Sequence, residues 1–104
     1  MAFHNEKMKE EIHHLASQFV SRESNRDALI TVTHTMVSDD AKYATILFTV
    51  LPDSKENAVL DFLKRKRKEF KTHVMKHSKI GRVPFFDFAI DKGQKQANEI
   101  YSIN

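Results

Sequence analysis

Apolar residues recur at helical spacing from about Glu6 to Arg22. Met8, Ile12, Leu15 and Phe19 form the stripe, and Ala16 and Val20 widen it. Asn5 is placed to cap this helix, and acids occupy its first turns. Residues 21–27, SRESNRD, read as a polar connector. The period then changes to two. From Leu29 to Ser38, Ile30, Val32 and Met36 share one face, with His34 between them, while Thr31, Thr33 and Thr35 share the other. β-Branched residues in alternation predict a half-buried strand. Ser38-Asp39-Asp40 is a turn, and Tyr43 to Leu51 alternates again, with Ala44, Ile46, Phe48 and Val50 on one face. Two such runs across so short a polar turn predict a hairpin.

Pro52 ends the second strand. Asp53, with Glu56 three residues on, has the spacing of a capping box. A helix is expected next, with Val59, Leu63, Phe70 and Val74 on its buried stripe and Leu60 and Phe62 beside it. It crosses five consecutive bases, residues 64–68, which span more than one turn at about 100° per residue. Lys66 or Arg67 must therefore lie at the edge of the stripe, its stem packed and its charge in water. The helix is expected to loosen between about Met75 and Gly81, where Ser78 and Gly81 are the small residues. Pro84 then blocks further helix. Phe85 to Asp91 predicts a third strand with Phe86, Phe88 and Ile90 on one face, and QKQANEIYSI a short last helix carrying Ala97, Ile100 and Tyr101. The order helix, strand, strand, helix, broken helix, strand predicts an α/β (α+β) two-layer sandwich. Helices cover one side of a three-stranded sheet and water the other.

Composition narrows the class. With 104 residues the chain has the length of one domain, able to bury its own core. There is no cysteine, which excludes disulfides, thiolate metal sites and cysteine nucleophiles. No apolar run approaches a membrane span, and the opening MAFHNEKMKEEI lacks an apolar signal core, so secretion and membrane insertion are not expected. Charge is distributed unevenly. The segment Lys64–Arg82 holds nine Lys or Arg and one acid, a formal +8, in a chain whose total is only +3, so the remainder is −5. A field that local attracts a polyanion, and nucleic-acid phosphate is the usual one.

Catalysis finds little support. There is no phosphate-binding Gly-Lys-Ser/Thr loop and no G-x-S-x-G. His73 and His77 are four apart, a spacing that can hold zinc, but no third ligand is evident, and they read as surface histidines on a basic helix. His4, His13 and His14 read as surface residues, and His34 as a partly buried, hydrogen-bonded one. Tyr43 and Phe85, which could stack bases on a sheet face, read as edge packing, since no RNP-like run accompanies them. A Lys-rich helix is often only a solvated face. Here the charge continues through Lys71, Lys76, Lys79 and Arg82, past the break, which favours binding.

The element order resembles a type II KH domain. Such domains carry a GxxG loop between two helices, and this chain, whose glycines are Gly81 and Gly93, has none. The ribosome-binding factor A family has a kink at a small residue instead. MVSDDAKYATILFTVL, residues 36–51, resembles that family's hairpin, and KIGRVPFFDFAID, residues 79–91, its basic kink exit, proline and third strand. The resemblance covers nearly the whole chain and implies a cytoplasmic, monomeric, non-enzymatic factor without cofactor or metal. It would be a single KH-like RNA-binding domain over residues 1–104. It would bind immature small (30S) ribosomal subunits and assist maturation of 16S rRNA, including its 5′ end. By position, the resemblance places Lys76, Ser78, Lys79 and Arg82 against RNA. The charge pattern adds Lys64, Arg65, Arg67, Lys68 and Lys71. A KH-like RNA or single-stranded DNA binder unconnected with the ribosome, and a basic module docking an acidic protein, are the alternatives.

Overall fold

A computed structural model describes residues 2–24 and 27–93. The expected last helix at residues 94–103 lies outside them. The elements run α1 (Ala2–Glu23), β1 (Leu29–Val37), β2 (Tyr43–Leu51), a 3₁₀ turn (Asp53–Lys55), α2 (Glu56–Arg65), α3 (Arg67–His77) and β3 (Phe85–Ile90). The sheet has the order β1-β2-β3, with β1 antiparallel and β3 parallel to β2. The expected α+β architecture is thus observed.

The alternating strands bury one face against the helices. Ile30, Ala44, Ile46, Phe48, Val50, Phe86 and Phe88 meet Ile12, Leu15 and Phe19 of α1, Val59 and Leu63 of α2, and Phe70 and Val74 of α3 in one cluster. Phe70 is at its centre. It is fully buried, with ring centroids 4.7 Å from Phe86, 5.3 Å from Phe19 and 5.7 Å from Phe88. Tilted and edge-on rings at these distances suit the aromatic quadrupole. One residue therefore joins α1, α3 and β3.

Three local expectations are corrected. Alternation in β1 does not persist, because the register skips between Val32, opposite Phe48, and His34, opposite Leu47, leaving Thr33 as the extra residue of a bulge. Beyond it the faces exchange. Thr35 is buried, hydrogen-bonded to His13 of α1 at 3.1 Å, and His34 is exposed on the open side. His13 is accordingly not a simple surface residue. Thr33 donates its hydroxyl hydrogen to Asp91, tying the bulge to the end of β3 across β2. Secondly, α1 already runs through Asn5, so this residue is inside the helix rather than its cap. Thirdly, Asp53 belongs to the 3₁₀ turn, and neither that turn nor α2 has a side-chain cap.

The Ser38–Tyr43 turn forms as expected. Ser38 donates to Asp40 at 2.7 Å and accepts from the Tyr43 N–H at 3.1 Å, and Ala41 takes a left-handed φ of 60°. The turn's hydrogen bonds hold a conformation that an alanine rarely adopts.

Phe70→Ala is expected to cost about 3–5 kcal/mol in urea unfolding. Phe85→Ala, at a position 57% exposed, should cost well under half as much. Equal losses would show that Phe70 does not hold the core together.

Candidate nucleic-acid interface

The basic run is not one helix with a distal kink. It breaks at Lys66 (φ −94°, ψ 7°), which ends α2 and begins α3. Its N–H bonds to the Leu63 carbonyl at 3.0 Å, three residues back instead of four. The change of direction lets α2 pack on β3 while α3 runs against both α1 and β3. Ser78, expected at the break, instead closes α3 in an extended conformation, and its hydroxyl accepts the Ile80 N–H at 3.3 Å. From there to Pro84 the chain is a non-helical connector. Ile80 and Val83 pack against the core and Pro84 is fully buried, so Lys79, Gly81 and Arg82 are left outward.

The break sorts the cations. Lys64 and Arg67, on either side of it, converge on Asp87 of β3: the Asp87 Oδ1 accepts from Lys64 Nζ at 3.0 Å, Arg67 Nη1 at 3.3 Å and the Phe88 N–H at 2.9 Å. Arg67 also donates through Nε to the Lys64 carbonyl at 3.0 Å and lies 5.6 Å above the Phe85 ring. That carbonyl is near a helix end, where the backbone acceptors lack intrahelical donors. Partial burial pushes the Asp87 carboxyl up, but the Lys64 hydrogen bond, the Phe88 N–H and the two positive charges outweigh it and hold the acid below its ordinary range. Arg65 pairs with Asp61 at 3.2 Å, and Lys66 with Glu69 at 3.2 Å while resting 5.2 Å from the Phe62 ring.

The other predicted cations are different. Lys68, Lys71, Lys76, Lys79 and Arg82 are all exposed, and none has an ion pair among the described residues. Lys71 is exposed next to the buried Phe70, and Lys68 and Lys76 line the open groove between α3 and α1. Lys79 and Arg82 line a hollow of about 300 Å³ with Lys7 and the acids Glu11 and Asp40. Of nine predicted residues, then, Lys64, Arg65 and Arg67 are held by carboxylates, Ser78 shapes the backbone, and five present free charge.

Tertiary contact adds groups that the sequence reading missed. Arg22 at the end of α1 lies 5.4 Å from the Phe19 ring, whose neighbours also include His73 at 5.8 Å. His73 is half-buried, stacked near Phe70, and 4.5 Å ring to ring from His77. It is thus not a plain surface histidine. Burial first, then the charges of His77 and Arg22, lower its pKa, so the folded protein favours the neutral ring. Helical periodicity could have placed His73 near the apolar stripe, but nothing local pairs α3 with Arg22. Tyr43 and Phe85 are 60% and 57% exposed, in contact with each other at 6.3 Å. Among the described residues no group of three or more His, Cys, Asp or Glu could hold a metal, and no helix is long and apolar enough to cross a membrane.

Comparison with known proteins is direct. The family model for ribosome-binding factor A matches residues 4–104. This chain belongs to the ribosome-binding factor A family. Ribosome-binding factor A of Fervidobacterium nodosum is 34% identical over 67 residues, covering 64% of this chain and 54% of that protein. The chain thus matches about half the length of that curated relative. Two solved structures share the fold. The crystal structure of ribosome-binding factor A from Thermus thermophilus superposes with a TM-score of 0.74 at 13% identity, over 85% of this chain and 96% of that one. A Thermotoga maritima protein provisionally named ribosome binding factor A, solved by NMR, gives 0.70 at 21% identity, over 86% and 88%. In this member of the ribosome-binding factor A family, the break between α2 and α3 is at Lys66, twelve residues before the serine at which the sequence placed it.

Asp87→Asn is expected to cost about 1 kcal/mol or less at neutral pH, because Lys64, Arg67 and Asp87 are each about 40% exposed and water screens the pairs. The folded carboxyl titrates below its ordinary value near 3.8, so its contribution is complete above that pH and is lost on further acidification. Urea unfolding at several pH values should show the wild type and variant converging on the acid side. A constant difference would remove Asp87 from the joint.

Proposed function

We propose that this chain is a non-enzymatic, cytoplasmic and monomeric assembly factor of the small (30S) ribosomal subunit, acting as a single RNA-binding domain. It binds immature subunits through 16S rRNA, assists maturation of that RNA including its 5′ end, and leaves before translation. Membership of the ribosome-binding factor A family is the context. The observation that carries the RNA reading is the set of five exposed cations, Lys68, Lys71, Lys76, Lys79 and Arg82, on α3 and the connector after it, none of them ion-paired among the described residues. A cation without a carboxylate partner can meet phosphate without first breaking an ion pair. Lys64 and Arg67 are part of the joint and Arg65 is paired with Asp61, so these three contribute to the surrounding field more than to contact.

Binding to single-stranded rRNA is expected to weaken with salt, with a log–log slope of about −3.5 if each of the five cations takes one phosphate. Replacing Lys76, Lys79 and Arg82 together by Ala should reduce the slope by about 2 and leave thermal stability nearly unchanged, as surface changes usually do. An unaltered affinity would remove these residues from the interface. In sucrose gradients the tagged protein should sediment with free small subunits and not with mature ribosomes. An even distribution between the two would overturn the assembly role.

A further inference from the structure

Charge balance separates the two hollows next to the free cations. The hollow at the connector sets Lys7, Lys79 and Arg82 against Glu11 and Asp40. The open groove between the C-terminal half of α1 and α3, about 430 Å³, is lined by Arg22, Lys68, Thr72, His73, Lys76 and His77 over a floor of Phe19. Its acid, Glu69, is already bonded to Lys66. The groove continues along the same seam past Ser17, Ser21 and His14, adding hydroxyls and another imidazole without a carboxylate. Cations, hydroxyls and histidines converge there from two helices about fifty residues apart in the chain, and Arg22 rests against the Phe19 ring with no ion pair among the described residues. The enclosed His73 Nε2 has no hydrogen-bond partner among the described residues.

We infer that this α1–α3 groove is a phosphate-binding contact for single-stranded RNA, with Arg22 supplying the guanidinium and His77 a proton-dependent second charge. The inference rests on the RNA-binding reading above and extends its footprint from α3 onto α1. A guanidinium suits a phosphate through its fork of donors. An imidazole beside that phosphate is driven toward its charged form, so binding takes up protons and strengthens as pH falls through the histidine range. The charged and titratable groups facing His77 are His14 and Arg22 from α1 and Lys68, Glu69, His73 and Lys76 from α3. Lys68, Arg22 and Lys76 keep the groove positive at all physiological pH, so acidification adds to an existing site.

The experiment uses the full chain and a short fluorescent single-stranded RNA, titrated at about pH 6 and about pH 8 over a range of salt. Wild type should bind several-fold more tightly at the lower pH. His77→Gln should remove most of that gain while matching wild type at the higher pH. Arg22→Gln should weaken binding roughly tenfold or more at both, equivalent to one charge-assisted contact, and reduce the salt slope by about 0.7. Both positions are exposed, so thermal unfolding should be unchanged. Lys79→Ala/Arg82→Ala serves as the comparison. If Arg22→Gln and His77→Gln both bind as wild type while that double variant binds weakly, the groove is not a contact and the wider RNA reading stands. If the wild type does not bind RNA, both readings fail together.

Discussion

A bend at Lys66, pinned from below by Asp87, determines how this molecule presents its charge. Lys64 precedes the bend and Arg67 follows it, and one carboxylate oxygen of β3 accepts from both. The same oxygen takes the Phe88 N–H, so the acid is itself fixed to the strand. The pin works only because β3 is an edge strand whose side chains the joint can reach. With the joint in place, α2 lies on β3, α3 can run beside α1, and Phe70 enters the centre of the core between Phe19, Phe86 and Phe88.

The energetics of that joint are modest, since pairs this exposed are individually worth about 0.2–1 kcal/mol. Burial of the aromatic cluster supplies the stability. The ion pairs instead decide which cations remain available. Four consecutive bases, Lys64 to Arg67, are drawn to Asp61, Glu69 and Asp87, while Lys68 onward faces water. A run that looks uniform along the chain is therefore divided in space into a structural half and a free half. The field of the whole segment still attracts a polyanion over a Debye length of about 10 Å, but contact belongs to the free half.

The sheet shows a similar division. Thr33 is the single extra residue that exchanges the faces of β1, bringing Thr35 under α1 and sending His34 to the open side. Regular alternation through Met36 misassigned both, because periodicity assumes an uninterrupted ladder and a bulge is a property of two strands together. The bulge is linked to Asp91 through the Thr33 hydroxyl, and Asp91, which also accepts the Gly93 N–H, is held below its ordinary range by those two bonds. Aspartates thus anchor β3 both within the strand and just past its end.

The order of elements, the bounds of β2, the Ser38–Asp40 turn and the concentration of charge in Lys64–Arg82 were legible in the sequence, because each depends on neighbours within a few residues. So was the family, since its resemblance follows that order. The tertiary structure alone decided where the basic helix breaks, which bases are neutralised, and that Arg22 joins His73 and His77 across a groove. Lys64 and Asp87 are 23 residues apart, and Arg22 is farther still from α3. A local pattern records how a segment divides between core and water. It carries no record of which distant side chain meets it there, and charge neutralisation depends on that meeting.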